Sequence, residues 1–381
     1  MVDTLVMAVE LADVNIPKSE YDNWTPSLKG ILAPPFINFG SKKYIKSVLL
    51  ADDTTKRRGE YMPRVSLYKG VGEGGFRVHM QIEFSAPKVV YNNNFDELQD
   101  IDLQKVCVGL SEKLAHMGVI VEPEVLERSR IKAVHYGKNV VFTDGTLPLL
   151  FLRYIGKANI TTRRHTRESG YIGGGQAFYY YNGGTAFCAY DKRKELQKSK
   201  ITEKGNMETD NYCQKTLLDD AKIKEPFQVL RLEARYKTRT LRSMAKKLSV
   251  FLPNQPALRD VFSTDIARRV LLHELVEIEN HIPEVAKNSE ALSDFAASLW
   301  ALNPHSTPMQ RVKAIAAKAL LRETGCRDLR TVLGMNNNQW YRFMQNINEL
   351  NVNTNSTNCF EAVKTQIVDF HPVLLEEYIE K

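Results

Sequence analysis

The segment FRVHMQIEFS (76–85) sets His79 two residues before Gln81. Its polar and apolar residues alternate, so it reads as a strand, and the two side chains then leave the same face. An imidazole and an amide oxygen aimed at one point suit a divalent cation; they equally suit the wetted face of an ordinary strand. Further on, QVLRLEARYK (228–237) interleaves Val229, Leu230 and Leu232 with Arg231, Glu233 and Arg235. In a strand those three charges share a face, giving either a carboxylate held among guanidinium groups or a plain surface ion-pair ladder. RETGCRDLRTVLGMNNNQWYRFMQNINEL (322–350) has the spacing of two helices about a tight polar turn. Leu329, Val332 and Leu333 form the inward stripe of the first, and Trp340, Phe343 and Ile347 that of the second. Asn338, Gln339 and Arg342 are then placed to meet base edges in a major groove, or only solvent. On the helix before them, Arg311, Lys313 and Lys318 face phosphates or water.

The elements that must carry these groups can be read from hydrophobic periodicity. Residues 2–11 and 76–84 predict strands, 102–118 a helix with Leu103, Val106, Cys107, Leu110 and Leu114 on one stripe and Gly118 as its stop. Residues 129–136 return to strand. The Gly- and Tyr-rich stretch 170–185, with Tyr179, Tyr180 and Tyr181, predicts paired strands leading into TAFCAY (185–190). The charged run DKRKELQKSK that follows begins a helix, and 228–237 is again strand. From about residue 255 the pattern turns helical, over 257–280 and 289–302 and from the Thr307-Pro308 start to Gly325. The expected fold is α+β, with an antiparallel-sheet domain over 1–252 and a helical domain over 257–381 holding the helix-turn-helix candidate. The two prolines of LPNQPA mark the boundary.

The chain has 381 residues and a net charge of +7, a balance that suits a polyanionic partner or a merely basic surface. Its five cysteines (Cys107, Cys188, Cys213, Cys326 and Cys359) are odd in number and form no CxxC pair, which argues against a disulfide framework or a zinc site. The N-terminus lacks the basic start of a signal peptide, and no apolar run approaches the ~20 residues that span a bilayer. A soluble cytoplasmic protein with no membrane partner is expected.

Five segments add a resemblance. MVDTLVM at the start, SAPKVVYNNNF (85–95), SRIKA (129–133), AYDKRKELQ (189–197) and VLRLEARYKTRTLRS (229–243) occur in one order. Together they resemble the replication-initiation nickases of filamentous phages, relatives of plasmid rolling-circle initiators and of the His-hydrophobe-His nickases. The resemblance implies a Rep-like nickase domain that cuts one strand at a replication origin, keeps the 5′ end as a phosphotyrosine, and later reseals it. It places the nucleophile at Tyr190, with Tyr179, Tyr180 and Tyr181 as rivals, and Lys192 and Lys194 as cations for the phenolate. It implies Mg²⁺ or Mn²⁺ held by ligands from among His79, Gln81, Glu233 and Asp3. Arg231 and Arg235 join Asn338, Gln339 and Arg342 as expected DNA contacts. Double- and single-stranded origin DNA, a host helicase and a single-strand-binding protein are the expected partners, in the host cytoplasm for a phage-encoded chain.

The sequence departs from that pattern where Gln81 replaces the second histidine, or the Glu of many phage relatives. It departs again where Lys132 and His135 stand in a strand that elsewhere carries acids. An origin-binding regulator that kept the scaffold and lost the chemistry is therefore the alternative reading. A tyrosine recombinase or type IB topoisomerase would need an HxxR-type element before Tyr341 or Tyr378, and none is present.

Overall fold

The computed structural model describes residues 1–32, 44–49, 60–72, 75–159, 168–172, 177–198, 222–288, 290–353 and 358–380; Cys213 lies outside them. The strands are β1 (Val2–Glu10), β2 (Trp24–Thr25), β3 (Tyr44–Leu49), β4 (Arg64–Gly72), β5 (Gly75–Ser85), β6 (Arg130–Phe142), β7 (Glu168–Ile172), β8 (Ala177–Asn182), β9 (Thr185–Asp191) and β10 (Gln228–Lys237). They form one sheet in the order β2-β3-β4-β5-β1-β6-β10-β9-β8-β7, each neighbour antiparallel to the next. The fold is α+β.

Period-two alternation sorts the two faces. Leu5, Met7 and Val9 of β1, Met80, Ile82 and Phe84 of β5, and Leu230, Leu232, Ala234 and Tyr236 of β10 are buried on one of them. Helices cover that face: Ala86–Tyr91 and Leu103–His116 at the β5–β1 side, Pro148–Ile155 and Thr264–Asn280 at the β6–β9 side. On the other face Thr4, Val6, Ala8, His79, Gln81 and Glu83 stay half-buried, so the middle of the sheet presents a partly polar, partly wetted surface. The pattern is that of an antiparallel sheet with one packed and one wetted side.

β6 extends to Phe142, well past the expected 129–136. Every residue from Tyr136 to Phe142 is buried, so alternation is lost there and the strand signal with it. β1 stops pairing at Val2↔Tyr136, which leaves the last residues of β6 without a strand partner on that side. Side chains replace the missing strand. The Glu97 carboxylate accepts the Asn139 N–H, and the Gln366 amide donates to the Val141 carbonyl (2.8 Å) while accepting its N–H (3.0 Å). Buried backbone groups are thereby satisfied.

Part of the expected helical domain packs on the sheet itself. LPNQPA runs back along the start of β6, where Ile131 N–H donates to the Pro256 carbonyl and Leu258 N–H to that of Ser129. Thr264–Asn280 then lies on β6 and β10, and Asn358–Asp369 on β6, within one continuous apolar core. The helix Pro308–Glu323 starts at Thr307-Pro308, as expected, where Thr307 and Gln310 form a capping box, and it packs against Leu292–Leu302 and Asn337–Asn348.

In the C-terminal helical pair, Leu329, Trp340 and Ile347 are buried and Phe343 is partly buried. Val332 and Leu333, expected inside, are 74% and 39% exposed: Cys326–Val332 anchors through Cys326 and Leu329, and its last turn is left in water. Arg311 and Lys318 also depart from expectation. The Arg311 guanidinium lies 3.8 Å over the Trp300 ring, and the Lys318 ammonium is buried against the Asn288 carbonyl at 2.9 Å. Neither is free to meet a phosphate. Among the described residues no helix is long and apolar enough to cross a membrane.

Candidate active site

The charged residues of β10 sit in mid-sheet because apolar residues occupy the alternate positions. Tyr190 of β9 lies directly opposite Arg231, and Cys188 opposite Glu233. The Tyr190 hydroxyl donates to Glu233 Oε1 at 2.6 Å, and Arg235 donates to Glu233 Oε2 through Nε (3.2 Å) and Nη2 (2.6 Å). Arg231 Nε is 3.6 Å from Glu233 Oε1. Arg231 also reaches Asp3 at 3.1 Å and Glu97 at 3.7 Å, and donates to Asn139 Oδ1 at 3.1 Å. Lys138 closes the group on Glu97 at 2.5 Å. Only Gly137 permits this packing, because a Cβ there would overlap the Arg231 guanidinium.

Three carboxylates (Asp3, Glu97 and Glu233) therefore meet three cations (Arg231, Lys138 and Arg235). Burial alone would raise the Glu233 carboxyl, but Arg235, Arg231 and the hydrogen bonds it accepts outweigh burial and bring it to about 2. Burial, then Glu233 and Glu195, hold the Tyr190 phenol well above its usual value against the opposing pull of Arg231. Burial and Glu233 push the Cys188 thiol up to about 12, so it is no thiolate rival. The arrangement holds a protonated nucleophile beside a carboxylate, with guanidinium groups at hand for a phosphate.

Lys192 lies 5.7 Å from the centre of the Tyr190 ring, buried and paired with Glu195 at 3.0 Å. Lys194 turns away: its N–H donates to Asp191 Oδ1, which caps the helix Lys192–Lys198, and its ammonium is 3.7 Å from the same carboxylate. Of the rival tyrosines, Tyr180 points to the helical side, where it and Tyr236 both donate to the buried Glu274. Tyr179, opposite Cys188, and Tyr181, opposite Ala186, share the open face with Tyr190.

Compared with known protein families, curated proteins and solved structures, the chain matches none. The site has to be judged on its own geometry.

That geometry does not unite the four expected metal ligands. Asp3 and Glu233 lie in one cluster, but Arg231 fills the space between them. His79 pairs with Glu10 at the far end of β1, and Gln81 with Ala8. From His79 to Tyr190 the path crosses four strand spacings, eight residues of β1 and three of β6, roughly 30–40 Å over the sheet. His79 is stacked on Tyr68 with ring centroids 5.6 Å apart, and burial followed by Lys132 lowers its pKa. His135, across from Arg235, is nearer the site, and burial and Arg235 lower its pKa too. Among the described residues no three His, Cys, Asp or Glu side chains gather as a metal site. Mg²⁺ or Mn²⁺ held by His79, Gln81, Glu233 and Asp3 together does not fit this fold.

Asn338, Gln339 and Arg342 are all exposed on Asn337–Asn348, far along the chain from Tyr190. Gln339 is committed to a capping box with Asn336, its side-chain oxygen accepting the Asn336 N–H at 2.9 Å. Asn338 and Arg342 are the outward groups left for a partner. Glu97, Lys138, Asn139 and Gly137 were not singled out by the sequence reading. Glu97 follows an irregular Asn-rich loop, and the other three lie where β6 has lost its alternation.

Proposed function

We propose that the protein cuts one strand of DNA by attack of the Tyr190 phenol on a phosphodiester. The observation that carries this is the Tyr190–Glu233 hydrogen bond, set between Arg231 and Arg235 beside a polar sheet face. In the step, the phenolic proton leaves toward Glu233 or solvent and the phenolate oxygen bonds to phosphorus. The bond to the 3′ oxygen breaks and that oxygen takes up a proton, while the 5′ phosphate stays on Tyr190. Arg235, 44% exposed at its side chain, faces solvent and supplies charge to the non-bridging oxygens. Reversal by a 3′-hydroxyl reseals the strand, which is the requirement for starting and ending rolling-circle replication at an origin.

A second reading is an origin-binding protein without chemistry. It is favoured by the same cluster: the phenol is held protonated, and Glu233, brought to about 2, is a weak proton acceptor. Purified protein incubated with a supercoiled plasmid carrying the DNA that flanks its own gene separates the two. Open circles with protein attached through SDS support cutting, while retardation without attachment supports the regulator. Tyr190→Phe is expected to retain retardation and lose the adduct. Undiminished adduct in that variant would move the nucleophile to another residue.

A further inference from the structure

At the far end of the open face, three rings cross three adjacent strands. Tyr44 of β3, Tyr68 of β4 and His79 of β5 stand in file: Tyr44 and Tyr68 centroids are 5.6 Å apart and tilted, Tyr68 and His79 5.6 Å apart and stacked. Cations frame them. The Lys46 ammonium lies 5.4 Å from the Tyr68 ring centre, and Lys132 and Arg130 of β6 act on His79 from the other side. Tyr44, Lys46 and Arg130 are exposed, Tyr68, His79 and Lys132 half-buried, and Glu10 is the acid among them.

We infer that this ladder is a docking track for a single DNA strand, its bases stacking on Tyr44 and lying along the outer edges of Tyr68 and His79, and its phosphates running beside Lys46, Lys132 and Arg130. The exposed Tyr44 ring offers a face for stacking that tolerates any base, the part-exposed outer edges of Tyr68 and His79 continue it, and the flanking cations replace phosphate counterions. A duplex cannot use the rings, because its bases are already stacked and paired. His79 on this account is an inner member of the ring stack, which fits its place between Tyr68 and two cations better than a metal ligand. The choice of DNA rests on the cutting reading above; the track lies far enough from Tyr190 to hold a strand several nucleotides away from the reacting phosphate.

Fluorescence anisotropy with labelled single-stranded dT of about 20 nucleotides, without divalent metal, tests it. Loss of a stacking ring by Tyr44→Ala or Tyr68→Ala is expected to weaken binding roughly 5- to 150-fold. Lys46→Ala and Lys132→Ala are each expected to lower the slope of log affinity against log salt by about 0.7. Tyr44→Trp, at an exposed position, keeps a ring and is expected to bind normally with its fluorescence quenched by dT. Wild-type affinity in both ring-to-Ala variants, equal competition by duplex, or stronger competition by single-stranded RNA than by DNA overturns the track. An adduct assay that fails while ring variants still lose affinity removes the cutting reading and leaves the track; an adduct that forms with ring variants binding normally does the reverse.

Discussion

Replacing Glu233 by Gln is the sharpest probe of the cluster, because the amide keeps the volume and removes only the charge. In the wild type that carboxylate takes three hydrogen bonds, from Tyr190 and twice from Arg235, and lies 3.6 Å from Arg231. The fall of its pKa from 4.5 to about 2 is worth about 3 kcal/mol in favour of the ionised form. Glu233→Gln should therefore destabilise the protein by about 3 kcal/mol at pH 7, within the range for breaking a buried pair and a large share of a typical 5–15 kcal/mol. The sign with pH follows from the depressed pKa. The contribution is complete above about 4.5, the unfolded value, and fades as pH falls toward 2, where the wild-type carboxyl takes a proton and resembles the amide. Urea unfolding followed by fluorescence of the buried Trp24 and Trp340 measures it. The two proteins should differ at pH 7 and converge toward pH 2. A gap below about 1 kcal/mol at pH 7, or one that does not shrink with acid, would refute the ion-pair account.

Three other outcomes follow from the geometry. Gly137→Ala would drive a methyl into the Arg231 guanidinium, and is expected to cost about 1–3 kcal/mol and to slow adduct formation; wild-type stability in that variant would mean that Arg231 can move at no cost. Because the Tyr190 pKa is raised, the rate of adduct formation should climb with pH through neutrality without levelling off below pH 10, and a plateau below pH 8 would show an activated phenolate. If a divalent metal stimulates cutting, His79→Ala should leave the concentration for half-maximal stimulation unchanged, whereas a shift of tenfold or more would return the ion to His79.

Several elements with one face buried and the other wet were legible from residue types alone, though β3 and β4 were not among them. The strand at 228–237 shows in Val229, Leu230 and Leu232 interleaved with Arg231, Glu233 and Arg235, and the helix Leu103–His116 in one apolar stripe and a stop at Gly118, which the fold holds at φ +74°. The end of β6 was not legible, since its residues are buried on both sides. The exposure of Val332 and Leu333 was missed because periodicity says which residues could face inward and not how far the neighbouring surface extends.

The sequence by itself determined that Arg231, Glu233 and Arg235 share a face, since a strand repeats every two residues whatever surrounds it. It also determined that His79 and Gln81 do. Which of these local sets come together was decided only by the order and register of the strands. Insertion of β1, β6 and β10 between β5 and β9 puts His79 far from Tyr190 and brings Asp3, Glu97 and Lys138 in from distant segments. Pairing register is set by summed packing and hydrogen bonding along whole strands, so no short stretch of residues encodes it.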